Sequence, residues 1–201
     1  LIDGGLVDEK INMKYLKRAS KSVERMINLI QDMDTLNKLE SGILEIKVID
    51  FDLVKLTYDV LDMLEDSAKK RAIHLKTSLK RNDEYMVHAD PNRIEQVLFN
   101  LLINAIKYGK RNGHVNISTF NMEDRLLIEV EDDGMGIPEQ DIGRIFERFY
   151  RVDKSRTRDA GGSGLGLSIV KHIIDAHKET INVRSTEGIG STFSFTLKKA
   201  E

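Results

Sequence analysis

Cysteine is absent from the 201-residue chain, which excludes a disulfide framework, a thiolate zinc site and a catalytic thiol. A surplus of one charge is absent too: 31 Lys and Arg face 33 Asp and Glu, for a formal net charge of -2. That balance argues against a nucleic-acid binder drawn in by bulk positive field, so no nucleic-acid partner is expected. No apolar run approaches the roughly 18 residues that span a bilayer, and no charged-then-apolar signal segment opens the chain. Repeats and low-complexity tracts are lacking as well. What remains, 40% hydrophobic and 32% charged residues, is the composition of a soluble globular protein. The length suits one well-packed domain, or one domain plus an appended element. The first residue is Leu1 rather than Met, so a fragment or processed form is the expectation.

Residues 1–8, with Asp3-Gly4-Gly5, read as a linker. From 9 to 39 there is no Gly or Pro, and Leu16, Ala19, Val23, Met26, Ile30 and Met33 step by threes and fours. That apolar seam has a period near 3.5, the spacing of long helices packed side by side. A helix lying on its own domain shows a similar pattern. Gly42 follows as the residue after the cap, and the composition shift there divides the chain into 1–42 and 43–201. Residues 43–51 read as a strand. Asp52 then caps a helix with Leu53, Leu56, Val60, Leu61, Leu64 and Ala68 on its core face. Ile73, Leu75, Thr77 and Leu79 alternate as a strand, and 85–89 makes another.

Asp90-Pro91 opens a helix as an N-cap followed by Pro at the first helical position. Its apolar face is Ile94, Val97, Leu98, Leu101, Leu102 and Ala105, while Asn100, Asn104 and Lys107 share another side. A carboxamide oxygen from Asn104 suits one place on magnesium, which leans on substrate phosphates. Lys107 offers a point charge and Tyr108 a ring for stacking. A polar surface edge has the same composition. Val115, Ile117 and Thr119 pair with the strand 125–131, which runs into Asp132-Asp133-Gly134-Met135-Gly136-Ile137-Pro138. An acid at a strand end before two glycines is a plausible purine seat or an ordinary turn. Residues 140–146 read as a short helix, and Phe146, Phe149 and Tyr150 form the densest aromatic cluster. Residues 148–162 carry five basic side chains without periodicity, as a mobile loop does. Gly161-Gly162-Ser163-Gly164-Leu165-Gly166-Leu167 then opens a helix ending near Ala176. Glycine-rich backbone at a helix start favours phosphate, although neither standard nucleotide-loop register is present. Strands at 180–185 and 191–198 close a mixed sheet around Glu187-Gly188-Ile189-Gly190.

Four stretches taken in order are far more specific than any one. They are Asn100-Leu101-Leu102-Ile103-Asn104-Ala105-Ile106-Lys107-Tyr108, Asp132-x-Gly134-x-Gly136, Ile145-Phe146-Glu147-Arg148-Phe149-Tyr150-Arg151-Val152-Asp153 and Gly162-Ser163-Gly164-Leu165-Gly166-Leu167. They closely resemble the N, G1, F and G2 boxes of sensor histidine kinases, and Gly188-Ile189-Gly190-Ser191-Thr192-Phe193 resembles the last glycine box. The resemblance covers about residues 43–199, and the 9–39 helix resembles the second helix of the family's dimerisation and phosphoacceptor domain. It implies an α/β fold: a two-layer sandwich of a mixed β-sheet and helices, the Bergerat-type ATP site shared with gyrase, Hsp90 and MutL, preceded by one long helix.

By that resemblance Asp132 accepts the adenine amino group, with Gly134, Gly136 and Ile137 beside the ring, and Asn104 ligates Mg2+. Asn100, Lys107, Arg151 and the backbone of Gly162, Gly164, Leu165, Gly166 and Leu167 would surround the phosphates of ATP. Tyr108 flanks the base and Phe149 completes the nucleotide-contacting set. Either Ser191 or Thr192 contacts Asp132 through its hydroxyl, and Thr192 is counted among the binding residues. Asn104, Lys107 and Arg151 would be the catalytic group, and residues 148–161 a lid. The implied reaction passes the γ-phosphoryl group of ATP to a histidine and on to an aspartate of a response-regulator receiver domain, in a homodimer joined through the helical domain. The resemblance also implies a cytoplasmic piece of a protein anchored in the bacterial inner membrane, with membrane contact only through segments not in this sequence.

One departure matters. The family's phosphoacceptor histidine sits in a His-Glu/Asp-Leu-Arg-type box, and none of His74, His88, His114, His172 or His177 has that context. The expectation is a fragment truncated after the first helix, able to bind ATP and unable to phosphorylate itself. Two rivals stand beside it: a clamp-type ATPase of the same superfamily and a non-catalytic nucleotide-binding or dimerisation module. The clamp ATPase needs a water-activating glutamate on the N-box helix, where Asn100 lies one turn before Asn104 and Glu95 nine residues before it.

Overall fold

The stretch free of Gly and Pro forms a single helix, α1 (Glu9–Glu40), in a computed structural model that describes residues 9–41, 45–152 and 163–200. After it come β1 (Ile49–Asp52), α2 (Leu53–Arg71), β2 (His74–Thr77), β3 (Met86–Ala89) and α3 (Pro91–Tyr108). The remainder is β4 (His114–Asn121), β5 (Arg125–Asp132), α4 (Glu139–Ile142), α5 (Gly166–Ala176), β6 (Ile181–Thr186) and β7 (Gly190–Lys198). Gly42, expected after the α1 cap, lies outside the described residues. None of the described helices is long and apolar enough to cross a membrane.

Five strands make the main sheet in the order β2-β4-β5-β7-β6, with β2 parallel to β4 and every other pair antiparallel. The sheet is therefore mixed, as expected. Alternation along the strands gives it one apolar face: Val115 and Ile117, then Leu126, Ile128 and Val130, then Phe193, Phe195 and Leu197 are all buried. Against that face lie α2 and α3, and α5 packs on α3 and adds its buried residues to the same core, so α3 sits against both other helices. The six apolar residues expected on α3 are all buried. Asp52 caps α2 by accepting from the Val54 N–H at 2.9 Å, and Asp90 caps α3 from Asn92 at 3.1 Å and Arg93 at 3.2 Å.

Two elements differ from expectation. The strand expected over 43–51 is confined to β1, which pairs with β3 in a separate two-stranded sheet. The backbone ahead of it is diverted to the α3 cap, where the Lys47 N–H donates to the Asp90 carboxylate at 3.0 Å. The helix expected over 140–146 is only α4. Gly143 follows it, and the chain then turns through Arg144 N–H to Asp141 and Glu147 N–H to Arg144 carbonyl bonds, sinking Ile145 into the core.

The apolar seam of α1 is not laid on the domain. Leu16 and Val23 are 50% exposed and Ile30 is 68% exposed, whereas Leu36 is 1% exposed. Leu29, Leu36 and Leu39, on a neighbouring stripe of the helix, join the core where α1 meets α5.

Candidate functional site

The inward face of the sheet changes character in its last row. Apolar Ile117, Val130, Phe193 and Val183 stand side by side, and one row on stand Val115, Asp132, Ser191 and Ser185. Asp132 therefore points between sheet and helices at the end of β5, buried to 8% exposure. Burial pushes its carboxyl up from the ordinary value. Hydrogen bonds from the Gly134 and Ser191 backbone pull it down and the charges of Asp133 and Glu131 push it up, for a net rise. The Gly134 N–H donates to Asp132 Oδ1 at 2.8 Å. Ser191, not Thr192, is the residue on the side of Asp132: Thr192 sits opposite Glu131, on the other face. The Ser191 hydroxyl meets the Ser185 hydroxyl at 2.9 Å, and Ser185 Oγ accepts the Ile137 N–H at 2.8 Å. Thr192 is thus not brought to the site.

The two glycines of the 134–136 loop are there because nothing larger fits. A Cβ on Gly134 would fall 2.6 Å from the Tyr108 carbonyl oxygen, and one on Gly136, whose φ is +65°, would fall 2.0 Å from that of Thr186. The loop is held between the end of α3 and the β6–β7 turn, with the Met135 N–H donating to the Tyr108 oxygen at 3.2 Å. Lys107 Nζ stands 4.8 Å from the centre of the Tyr108 ring.

At the other end of the site, α5 begins at Gly166, and a Cβ there would lie 3.5 Å from Asn100 Oδ1 and 4.0 Å from Asn104 Nδ2. The N-box carboxamides thus stand within van der Waals reach of the start of this helix. Leu165 is fully buried and its N–H is held by Ser163 Oγ at 3.2 Å; Leu167 packs on the core. Gly164, at φ +76°, leaves no room for a Cβ against the Phe149 backbone at 2.9 Å, and its carbonyl accepts the Phe149 N–H at 3.0 Å. Phe149 is 54% exposed beside this loop. Tyr150 donates to Asp141 and carries Arg144 on its ring at 4.4 Å, which anchors the aromatic segment; Arg151 after it is half-buried. Gly162 and residues 153–161 of the expected lid lie outside the described residues.

Several contacts here escape sequence reading. Asp133 accepts the His114 N–H at 2.9 Å and meets its imidazole at 3.2 Å. Desolvation pushes Asp133 up, but the His114 contacts together outweigh it and the carboxyl ends below its ordinary value. Ser163 donates to Asp32 of α1 at 3.2 Å, across a separation no local pattern marks. The histidines do other work: His177 accepts the Asp90 N–H at 3.0 Å and engages the Ile173 carbonyl at 2.8 Å, and His74 stacks on His114. His172 is pushed down by burial and then by the charge of Arg148. Among the described residues, no group of three His, Cys, Asp or Glu side chains could hold a metal ion.

A buried acid before a glycine loop at one end, paired carboxamides against a glycine-opened helix at the other, and a mixed sheet with helices on one face define an ATP-binding α/β sandwich. The chain belongs to the family of histidine kinase-, DNA gyrase B- and HSP90-like ATPases, which it matches over residues 89–201. It is similar to the sensor histidine kinase WalK of Bacillus subtilis (strain 168), 38% identical over 203 residues that cover 100% of this chain and 33% of that protein. The chain thus spans about a third of the length of that curated relative. Among solved structures, the Acinetobacter baumannii histidine kinase AdeS matches with a TM-score of 0.76 and 28% identity, over 96% of this chain and 86% of that one. Histidine kinase ThkA, solved in complex with response regulator protein TrrA, matches with a TM-score of 0.74 and 28% identity over 96% of this chain and 53% of that one.

Proposed function

We propose that residues 43–201 form the catalytic ATP-binding domain of a sensor histidine kinase, with 1–42 a linker and the second helix of its dimerisation domain. The observation that carries this is the meeting of Asn100 and Asn104 with the start of α5, on the same helix α3 whose last residue, Tyr108, meets the glycine loop beside Asp132. Asp132 accepts from the adenine amino group, Gly134, Gly136 and Ile137 lie along the ring, and Tyr108 and Phe149 flank it. Asn100, Lys107, Arg151 and the backbone of Gly164, Leu165, Gly166 and Leu167 take the phosphates. Free N–H groups and the helix dipole favour an anion at that end.

The donor set suits magnesium: one carboxamide oxygen, from Asn104, beside a phosphate cradle, where a hard cation keeps waters and phosphate oxygens as its other ligands. Bound there, magnesium would neutralise charge on the phosphates. Lys107 and Arg151 add positive charge on the chain's side, and catalysis is a matter of positioning and charge stabilisation. In the longer protein the γ-phosphoryl group passes to a histidine and then to the aspartate of a receiver domain; the pairing of ThkA with TrrA supports a response regulator as partner. Homodimerisation through the helical domain, a cytoplasmic setting for these residues and an inner-membrane anchor elsewhere belong to the same proposal.

The test mixes this chain with magnesium, γ-labelled ATP and a separately made helix bearing the histidine box. Acid-labile, base-stable label on that helix is the expected result. Free phosphate without labelled protein, lost on Glu95→Ala, would establish the clamp-type ATPase instead. Equal weak Mg-ATP binding by wild type and Asp132→Asn would leave a non-catalytic module.

A further inference from the structure

We infer that Lys110, two residues beyond the nucleotide-contacting helix, is a positioning residue for the base: it closes a hydrogen-bonded ring around the 134–136 loop. This rests on the reading of that loop as the adenine seat. The ring has three bonds. The Met135 N–H donates to the Tyr108 carbonyl at 3.2 Å, the Gly188 N–H donates to the Met135 carbonyl at 2.7 Å, and Lys110 Nζ donates to the Gly188 carbonyl at 2.7 Å. The chain from Tyr108 to Lys110 completes the circuit. The end of α3 and the β6–β7 turn are thus two jaws on the loop, and the tightness at Gly134 and Gly136 shows how closely they hold it.

Lys110 acts from a fixed base. The Gly109 N–H donates to the Ala105 carbonyl at 2.8 Å, the Asn112 N–H to Ala72 at 2.7 Å and the Gly113 N–H to the Lys110 carbonyl at 2.9 Å. A Cβ on Gly109 would fall 2.7 Å from Ile73 Cδ1, and one on Gly113 would fall 2.3 Å from Asp133 Oδ1. The segment carrying Lys110 is therefore packed between α2, α3 and the residue after Asp132. Its ammonium, reaching a carbonyl of the facing turn, links the jaws directly instead of through the loop. Removing that link lets the β6–β7 turn move away from α3 and widens the seat for the base. The phosphate end, built from Asn100, Asn104 and the start of α5, takes no part in the ring.

The test compares wild type, Lys110→Met, Lys110→Arg and Asp132→Asn in the intact chain. Three quantities are read: amide exchange at Met135 and Gly188, the Kd of Mg-ATP, and the inhibition constant of magnesium tripolyphosphate, which lacks the base. Lys110→Met is expected to speed exchange at both amides and raise the ATP Kd about three- to tenfold, the range for one exposed charge-assisted bond. Tripolyphosphate inhibition stays unchanged, and Lys110→Arg recovers part of the ATP affinity. Unchanged ATP affinity in Lys110→Met, with or without faster exchange, would overturn the inference alone, provided Asp132→Asn loses binding. An equal loss for tripolyphosphate would also overturn it and make Lys110 a general phosphate attractor. Equal ATP binding by wild type and Asp132→Asn would remove the reading of the seat, and the inference with it.

Discussion

Asp132 and Asp133 are adjacent carboxylates driven in opposite directions by their surroundings. Asp132 is lifted by burial, while the contacts from His114 hold Asp133 down. A folded pKa above the unfolded one means the native state holds the Asp132 proton more tightly. Its contribution to stability is therefore present below the unfolded value of about 3.9 and lost as pH rises through the folded value. Once ionised, Asp132 works against folding, and under the proposed function that same carboxylate accepts from the base. Asp132→Asn is expected to gain stability relative to wild type as pH rises from about 4 toward 7, measured as urea midpoints across that range. Its Mg-ATP affinity should fall about 10- to 100-fold, the worth of a hydrogen bond to a charged group. A parallel pH dependence in the two proteins would contradict the assignment. The acid, the glycines and the two asparagines were legible as candidates only through four stretches in one order, since each stretch alone also fits a turn or a polar surface edge. The choice of Ser191 over Thr192 was not, since it depends on the register of β7 against β5.

The helix α1 shows why elements are easier to read than their partners. A run without Gly or Pro and a period near 3.5 sufficed for the helix and its seam. Its docking stripe, Leu29, Asp32, Leu36 and Leu39, also steps by threes and fours but carries an acid, and only the tertiary structure shows it against α5. The strand β3 was legible, β1 only as the end of a longer expected strand, and their separation from the main sheet was not legible, because local propensity does not name a partner. Leu36→Ala should cost the docked arrangement about 2–5 kcal/mol, as removal of a buried leucine does. The expected signature is faster amide exchange over residues 29–39 with the β4–β5–β7 core amides unchanged. Asp32 adds a pH term: burial lifts its carboxyl more than the Ser163 bond lowers it. Docking is therefore favoured with Asp32 protonated and loosens as pH rises from about 4. Uniform exchange throughout the chain would mean that α1 and the sheet unfold as one unit.

Across the whole molecule, α1 presents two stripes with different fates. One holds the helix to α5 beside the phosphate end; the other leaves Leu16, Val23, Met26, Ile30 and Met33 between 42% and 68% exposed. An apolar row of that length along a single helix is more than scattered surface hydrophobics, and its period suits a second helix. In the proposed homodimer the occupant would be a helix from another copy of this chain, related by a two-fold axis. The docking stripe and the seam lie on different faces, so association would leave the α1–α5 contact intact. Val23→Glu combined with Ile30→Glu puts two charges on the seam without touching either the docking stripe or the candidate site. Equilibrium sedimentation should show concentration-dependent self-association for wild type and a monomer for the double variant, with Mg-ATP affinity the same for both. Undiminished association of the variant would place the interface elsewhere. A monomer that also lost ATP affinity would show instead that α1 governs the candidate site through its docked end, where Leu36 joins the core and Asp32 meets Ser163.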